Sequence, residues 1–283
     1  MSPRGQRHVF DTMGTTVSLV FAGAAPDGAI DSVEAVFAAL NRRFSLYRDD
    51  SEASAVARGE LTVADASVKF RDAFALAERW RMDTEGAFTP HRPDGSIDLA
   101  GVIKAQAIQE SGEALRWHGA TAWCFNAGGD VLTAGVQADG RPWVVGIVDP
   151  ADRQALLSQF TCSSRHPAVA TSGVAERGEH VWRTTGRESA PAAPAVVGRW
   201  PGDGRQGEPE AEALTTHSDQ HLSVFHQVTV AAPDIITADV LATAILAGGR
   251  PTLTAALQRW DIQVLACTAD GEHLATDAFR ATD

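Results

Sequence analysis

Cysteine is scarce in this 283-residue chain, and its pattern excludes two kinds of cysteine chemistry. The three cysteines, Cys124, Cys162 and Cys267, are far apart and lie in apolar runs. An odd number of isolated cysteines does not fit a disulfide framework, and the short spacings of a zinc site are missing. The pattern favours reduced thiols in the core of a cytoplasmic protein.

Positive charge is also in short supply. The chain has 24 lysines and arginines against 36 aspartates and glutamates, which gives a formal net charge of −12. This balance argues against nucleic acid as the main partner. It still allows an anionic nucleotide to bind, provided that a metal ion or backbone amides offset the phosphate charge.

Long apolar runs and common nucleotide fingerprints are missing as well. We find no apolar run near the roughly 18 residues of a membrane span. No signal-peptide core follows the basic N-terminus. We therefore expect no membrane association and a cytoplasmic location. There is neither a GxGxxG after the first predicted strand nor a P-loop, which excludes the two commonest phosphate-binding motifs.

Hydrophobic residues make up 44% of the chain and predict a globular protein. Helical spacing of apolar residues occurs early and late, whereas strand patterns dominate the middle. That order favours an α+β fold over a doubly wound parallel sheet. We predict one or two strands over 9–21, with a break at 13–15, and helices over 29–44, 68–82 and 101–117. Further strands are predicted over 121–125, 131–136, 143–148, 157–162, 168–171 and 228–232, followed by a late helix after Pro233-Asp234 and a last strand near 263–267.

One segment differs from the rest of the chain. Residues 187–221 are rich in Pro, Gly, Ala and Glu and show little periodicity. This composition predicts a flexible surface insertion, with a simple linker favoured over a functional lid. We expect the chain, residues 1–283, to form a single unit that is either undivided or built from two subdomains.

The most suggestive local pair is Asp239 and Thr243, in the sequence T-A-D-V-L-A-T over 237–243. A spacing of four residues on a helix places both side-chain oxygens on one face. A carboxylate and a hydroxyl there suit a hard cation that keeps some of its waters. The alternative is an acidic residue that favours the helix dipole, beside an ordinary helix-packing threonine, and the pair alone favours this simpler interpretation.

Three other stretches carry candidate residues, each with an ordinary alternative. The turn Asn126-Ala127-Gly128-Gly129-Asp130 would let a ligand approach closely, but it also fits a plain hairpin. Asp98 could cap a helix that begins near Gly101, and Lys104 could meet a phosphate, although a lone lysine is usually solvated. His180 follows a small polar turn and is the best-placed candidate base among nine histidines, or else a surface histidine without a role.

These stretches, taken in order, resemble the ApbE family, the FAD:protein FMN transferases (flavin transferases). The resemblance covers most of the chain outside the predicted insertion, and the order of so many blocks is more specific than any one of them. The blocks are Met13-Gly14-Thr15-Thr16, Ser45-Leu46-Tyr47-Arg48 with Ser51-Glu52, Gly86-Ala87-Phe88, 98–104, 126–130, Trp143-Val144-Val145-Gly146-Ile147, 170–173, His180-Val181, Val228-Thr229-Val230 and 238–244.

The resemblance implies an ApbE-like mixed fold in which helices flank a central, mostly antiparallel sheet. It implies an enzyme that takes FAD as substrate and uses Mg²⁺ at the FAD pyrophosphate. Such an enzyme releases AMP and attaches FMN to the Thr or Ser of a flavinylation motif in an acceptor flavoprotein. Attack on a phosphoanhydride needs charge neutralisation and a base that activates the hydroxyl, so the implied parts suit the implied reaction.

The resemblance also implies residue roles. His180 matches the histidine proposed as the base. Asp239 and Thr243 match metal ligands, and Gly101 matches the position whose backbone carbonyl completes that set. The positions that match flavin-nucleotide contacts are Met13, Tyr47, Ala87, Phe88, Thr89, Asp98 and Lys104.

The sequence departs from the family pattern at three places. Phe88-Thr89-Pro90 stands where the family has Phe-Asp-Pro, and Ala105 stands where it has Gly. After His180 the usual Asp-Pro pair is replaced within Val181-Trp182-Arg183-Thr184-Thr185-Gly186. The last change leaves two alternatives open: an FAD pyrophosphatase giving FMN and AMP, or a non-catalytic FAD-binding protein. The chain has no clear acceptor motif of its own, so we expect no self-flavinylation.

Overall fold

The computed structural model describes residues 5–173, 198–199 and 225–279. The predicted base His180 lies outside these residues, and so does the predicted insertion 187–221 apart from 198–199. Along the described chain, two strands are followed by four helices, seven strands, one long helix and two more strands. The sequence predicts the early and late helices and the strands between them, but not α2 (Glu52–Ala57) or the short strands at 198–199 and 273–275.

The helices form where apolar residues recur at helical spacing. In the first of them, Val33, Phe37, Leu40 and Phe44 are buried on one face. The sequence predicts three of the first four helices to within one residue at each end and misses the second, whose six residues are too few to show a period. The helices are α1 (Ala29–Phe44), α2 (Glu52–Ala57), α3 (Val68–Asp83), α4 (Ala100–Trp117) and α5 (Ile235–Arg259).

Nine of the described strands form one sheet, and two form a separate pair. Every strand pair is antiparallel. The strands are β1 (Arg7–Thr12), β2 (Thr15–Phe21), β3 (Trp123–Ala127), β4 (Asp130–Ala134), β5 (Val144–Val148), β6 (Leu156–Thr161), β7 (Ala168–Gly173), β8 (Gly198–Arg199), β9 (Phe225–Ala232), β10 (Gln263–Thr268) and β11 (His273–Ala275). The large sheet runs in the order β1-β2-β3-β4-β7-β9-β10-β11-β8. The predicted α+β fold with a large antiparallel sheet is confirmed.

Different parts of the chain pack on the two faces of the large sheet. Successive side chains of a strand point to opposite faces, so one strand contributes to both layers. On β7, Ala168 and Ala170 belong to the main core beneath the helices, whereas Val169 belongs to a second cluster. That second cluster includes Trp143 and Phe160 from the β5–β6 segment. The helices therefore pack on one face, and the β5–β6 pair covers part of the other.

Helix α5 packs on β7, β9 and α4. By length and composition alone it could cross a membrane, contrary to our expectation that no apolar run is long enough. However, it is broken at Gly249, where φ is 67° and ψ is −152°. Its first part, from Ile235 to Leu246, is largely buried in the main core. In this fold α5 is a core helix, and its burial explains its apolar composition.

Candidate functional site

The loop after α3 lies against both α4 and α5. A Cβ added at Gly101 would lie 2.9 Å from Cε2 of Phe88, and one added at Gly248 would lie 3.1 Å from Cβ of Ala87. The backbone amide of Phe88 donates to Oγ1 of Thr84 at 3.1 Å. Phe88 is only 4% exposed. Its ring therefore belongs to the core beside Gly101, and a nucleotide at this position would meet the backbone of Phe88 and not its ring.

Asp98 holds the start of α4 and pairs with an arginine. Its Oδ1 accepts from the backbone amide of Ala100 at 2.9 Å, although the residue at the N-cap itself is Leu99. Its Oδ2 lies 3.1 Å from Nε of Arg92 and forms an ion pair with that guanidinium. A nucleotide at this position would therefore meet an Asp98–Arg92 pair. The neighbouring predicted contact, Thr89, accepts the backbone amide of His91 at 3.2 Å.

Lys104, in the second turn of α4, forms an ion pair with Asp130. The Asp130 side chain is fully buried and that of Lys104 is 13% exposed. The second carboxylate oxygen of Asp130 accepts the backbone amide of Thr171 at 3.3 Å. Burying a carboxylate is costly unless it is paired, so this contact ties α4 to β4 and β7. The side chain of Lys104 is therefore fixed by its ion pair with Asp130. It is not the solvated surface lysine of the simpler interpretation.

The turn before Asp130 is the predicted hairpin. Gly128 and Gly129 both have positive φ, of 60° and 93°. Oδ1 of Asn126 accepts the backbone amide of Gly129 at 3.0 Å, which closes the turn. Two successive residues with positive φ form the tight turn that matches the twist of the flanking strands. The paired glycines thus set the position from which Asp130 enters β4.

Asp239 and Thr243 lie in the first part of α5, where the helix packs on β7. Helix α5 begins after Asp234, as the sequence predicts. Oδ1 of Asp234 caps the helix by accepting a hydrogen bond from the backbone amide of Thr237 at 2.8 Å. Asp239 is 5% exposed, and the hydroxyl of Thr243 lies 3.0 Å from that of Ser172 in β7. Gly101 lies in the first turn of α4, which packs against α5. The predicted ligands are therefore on two packed helices.

The residues of this predicted metal set suit Mg²⁺. Carboxylate, hydroxyl and carbonyl oxygens are hard ligands, and Mg²⁺ is usually held by one or two carboxylates together with substrate phosphates and water. A carboxylate as buried as that of Asp239 is the kind of group that a cation compensates. Among the described residues there is no cluster of three or more His, Cys, Asp or Glu side chains that could hold a metal. A site with a single carboxylate would not form such a cluster.

Met13 occupies the turn between β1 and β2. Its φ is 48°, which is uncommon for a residue other than glycine, and Gly14 follows with a φ of 69°. The Met13 side chain packs against the main core. Beside this turn is an open cavity of about 850 Å³, lined by polar residues of β1 and β2 and by Gly128. The lining holds Gly14 but no predicted flavin contact, so we do not assign the cavity to FAD.

Tyr47 follows α1, and its side chain is 94% exposed. The described structure does not bring this ring into the packed part of the site. An exposed tyrosine on a loop can supply a ring face to a ligand, but a single exposed apolar side chain is also ordinary on a protein surface. The predicted flavin contact of Tyr47 therefore stays a prediction.

The cysteines are placed as the sequence predicts, as unbonded thiols in apolar surroundings. Burial raises the pKa of Cys124 to about 12, that of Cys162 to about 11 and that of Cys267 to about 12. A nucleophilic or metal-binding cysteine requires the thiolate. These thiols are therefore structural groups and supply no nucleophile to the site.

Sequence reasoning missed the contacts that Asp130 and Ser172 make. Both residues are inside stretches that the sequence singles out, the Gly128-Gly129 turn and 170–173. Their partners, Lys104 and Thr243, are 26 and 71 positions away along the chain. Only the pairing of β4 with β7 and the packing of helices on these strands bring them together, and one sequence carries no signal for such contacts.

The family model described as the ApbE family matches residues 13–92 and 89–187, which together are more than half of the chain. This match includes Lys104 and Asp130, whereas Asp239 and Thr243 lie beyond it. No curated protein matches the sequence.

Three solved structures illustrate the similarity of fold. Flavin Transferase ApbE from Vibrio cholerae is 21% identical, with a TM-score of 0.66 over 97% of this chain and 98% of that one. Pseudomonas stutzeri flavinyl transferase ApbE, in its apo form, is 18% identical, with a TM-score of 0.70 over 98% and 96%. The apbe protein from Thermotoga maritima is 16% identical, with a TM-score of 0.70 over 96% and 97%. At these identities the likeness shows a shared fold, and together with the match over residues 13–187 it means that this chain belongs to the ApbE family.

Proposed function

We propose that this chain is a Mg²⁺-dependent flavin transferase that moves FMN from FAD to a Thr or Ser hydroxyl of an acceptor flavoprotein and releases AMP. Family membership supports the proposal, as do the similar folds named flavin and flavinyl transferase. The observation that carries it is the pair of packed helices α4 and α5. Helix α4 carries Lys104, whose ammonium group is fixed by its ion pair with Asp130. Helix α5 carries the buried carboxylate of Asp239, with Thr243 one turn later.

In the proposed reaction the acceptor oxygen bonds to the phosphorus of the FMN half of FAD. The bond from that phosphorus to the bridging oxygen breaks, and the bridging oxygen leaves with AMP. The acceptor proton goes to a base, which we assign to His180 from the family resemblance. Phosphoryl transfer of this kind depends on positioning and on charge stabilisation, because no covalent enzyme intermediate is needed.

The residues divide these tasks between them. Asp239, Thr243 and the carbonyl of Gly101 would hold Mg²⁺, which when bound neutralises charge on the pyrophosphate. Lys104, which Asp130 fixes in place, would direct other N–H donors of its ammonium group to the phosphates. The remaining proposed FAD contacts are Met13, Tyr47, Ala87, Phe88, Thr89 and Asp98.

Two alternatives keep FAD binding and differ in the fate of the bound FAD. In a pyrophosphatase, water replaces the acceptor hydroxyl, and FMN and AMP both appear free in solution. In a non-catalytic binding protein, FAD stays intact. The altered sequence after His180 favours these alternatives. The Asp239 and Thr243 pair favours an enzyme, because a carboxylate and a hydroxyl one helical turn apart suit a hard cation such as Mg²⁺.

The test is FMN transfer to an acceptor domain that carries a flavinylation-type Thr motif, followed with and without Mg²⁺. We expect His180→Ala and Asp239→Asn to abolish transfer. Asp234→Asn is the matched control, because it removes the same charge from the same helix and asparagine caps as well as aspartate. Activity lost equally in Asp234→Asn and Asp239→Asn would contradict the metal assignment. AMP released without an acceptor would support the pyrophosphatase instead.

A further inference from the structure

Ser172 lies at the C-terminal end of β7 and faces α5. On this strand, Ala168 and Ala170 point to the helices, so the alternation of side chains directs Ser172 to the same face. Its hydroxyl oxygen lies 3.0 Å from Oγ1 of Thr243, and either hydroxyl can be the donor. Ser172 is therefore the direct hydrogen-bond partner of a proposed metal ligand.

We propose that Ser172 is a positioning residue that orients the Thr243 hydroxyl toward the bound cation. This inference rests on the proposed function, since it takes Thr243 as a ligand of Mg²⁺. It adds to that site a residue that touches neither the cation nor FAD and acts through Thr243.

The reason lies in the chemistry of a hydroxyl ligand. A threonine hydroxyl has one proton and two lone pairs, and it binds a cation through a lone pair. Its proton must then point away from the cation toward an acceptor. The Ser172 oxygen is at hydrogen-bond distance for this task, and a cation on Oγ1 would polarise the O–H bond and strengthen its donation. Partners of this kind fix the orientation of metal ligands and typically contribute about 10–100-fold to metal affinity.

The neighbouring residue supplies a matched control. Thr171 points to the opposite face of β7, and its hydroxyl lies 2.9 Å from that of Thr229 on β9. It therefore makes a hydroxyl–hydroxyl contact of the same kind one position away, but with a strand and not with α5. Thr171→Val keeps the shape of the side chain and the backbone amide that bonds Asp130.

The experiment measures Mg²⁺ affinity without relying on turnover. The full chain is loaded with FAD, and Mg²⁺ is titrated while the thermal unfolding midpoint is followed, because a ligand that binds the folded state raises it. We expect Ser172→Ala to raise the half-effective Mg²⁺ concentration by about 10–100-fold. We expect Thr171→Val to leave it unchanged, and Ser172→Thr, which keeps a hydroxyl, to restore most of the affinity.

The outcomes separate the inference from the proposed function. If Thr243→Val loses Mg²⁺ affinity while Ser172→Ala behaves like Thr171→Val, the metal site stands and the role of Ser172 is wrong. If Thr243→Val and Asp239→Asn both bind Mg²⁺ like the unaltered chain, the metal site itself is wrong and the inference falls with it. A graded loss, strongest in Thr243→Val and intermediate in Ser172→Ala, is the result that supports both.

Discussion

Lys104 of α4 forms an ion pair with Asp130 of β4, and the carboxylate of this pair is fully buried. Removing one partner of a buried pair leaves an uncompensated charge or an unsatisfied polar group, which costs about 3–5 kcal/mol. We therefore expect Lys104→Met and Asp130→Asn each to lower the free energy of unfolding by that amount, measured by urea denaturation. The double variant Lys104→Met with Asp130→Leu is expected to recover part of the loss.

A control for this prediction is the pair formed by Asp139 and Arg141, whose side chains are 45% and 76% exposed. Exposed ion pairs contribute little, because both charges remain solvated. We expect Asp139→Asn to leave the urea midpoint unchanged. If Lys104→Met and Asp130→Asn were as mild as Asp139→Asn, the pair would not hold α4 to the sheet as we describe.

Gly101 is required for packing as well as for its proposed carbonyl ligand. A Cβ at this position would lie 2.9 Å from the ring of Phe88, so Gly101→Ala must displace a buried aromatic side chain. Overpacking of this kind costs about 1–3 kcal/mol. We expect that loss in urea denaturation, and we expect it to shrink when the same change is made in a Phe88→Leu background. An equal loss in both backgrounds would mean that Phe88 is not the source of the clash.

Substitution of the exposed residue Tyr47 tests a role in binding FAD separately from a role in stability. Its side chain is 94% exposed, so Tyr47→Ala should leave the thermal unfolding midpoint of the FAD-free chain unchanged. If Tyr47 contacts the flavin nucleotide, the same variant should bind FAD about tenfold more weakly, which corresponds to about 1.4 kcal/mol. Trp117 is the control, because it is another large aromatic residue, 88% exposed, and has no proposed role. Equal FAD affinity in Tyr47→Ala and Trp117→Ala would remove Tyr47 from the site.

The buried thiols predict a loss of stability at alkaline pH. Their pKa values in the folded chain, about 11 to 12, lie above the ordinary value of 9.0 because burial disfavours the thiolate. Above about pH 9 the unfolded chain loses these protons while the folded chain keeps them, so the free energy of unfolding falls as pH rises. The stability that the protonated thiols contribute is fully present below pH 9. It is lost between pH 9 and pH 11 or 12, at up to about 1.4 kcal/mol per pH unit for each thiol.

Urea denaturation between pH 8 and pH 11 measures this slope. A variant with Cys124, Cys162 and Cys267 all replaced by alanine should show a shallower decline, even though it is less stable at pH 8. An unchanged slope would mean that other groups, such as lysines, control the alkaline loss. Native thiols should also resist a thiolate-specific reagent at pH 8 and react once the chain is unfolded.

Most helices and strands of the described structure could be predicted from the sequence. The bounds of α1 follow from apolar residues such as Val33, Phe37 and Leu40 at helical spacing, and Asp234 marks the start of α5 because its side chain caps the helix. Helix α2 and the short strand β11 escaped prediction, because six and three residues are too few to establish a period.

The sequence names candidate site residues one by one, but it does not show which of them are in contact. Asp239 and Thr243 are four residues apart on one helix, so their common face follows from helix geometry. For Lys104 the sequence leaves a phosphate contact and a solvated lysine open, because its partner Asp130 is on a strand that is distant along the chain. The partner of Thr243 was equally hidden, since Ser172 reaches it only through the packing of α5 on β7. Local spacing thus places the candidate ligands Asp239 and Thr243 on one helix face, while tertiary packing determines which residues contact them.

The central claim is transfer of FMN, and mass spectrometry tests it most directly. The full chain is incubated with FAD, Mg²⁺ and an acceptor domain that carries a flavinylation-type Thr motif, and the mass of the acceptor is measured. We expect a gain equal to one FMN residue that requires Mg²⁺ and disappears in Asp239→Asn. An acceptor of unchanged mass, with AMP and free FMN accumulating or with FAD left intact, would contradict the account.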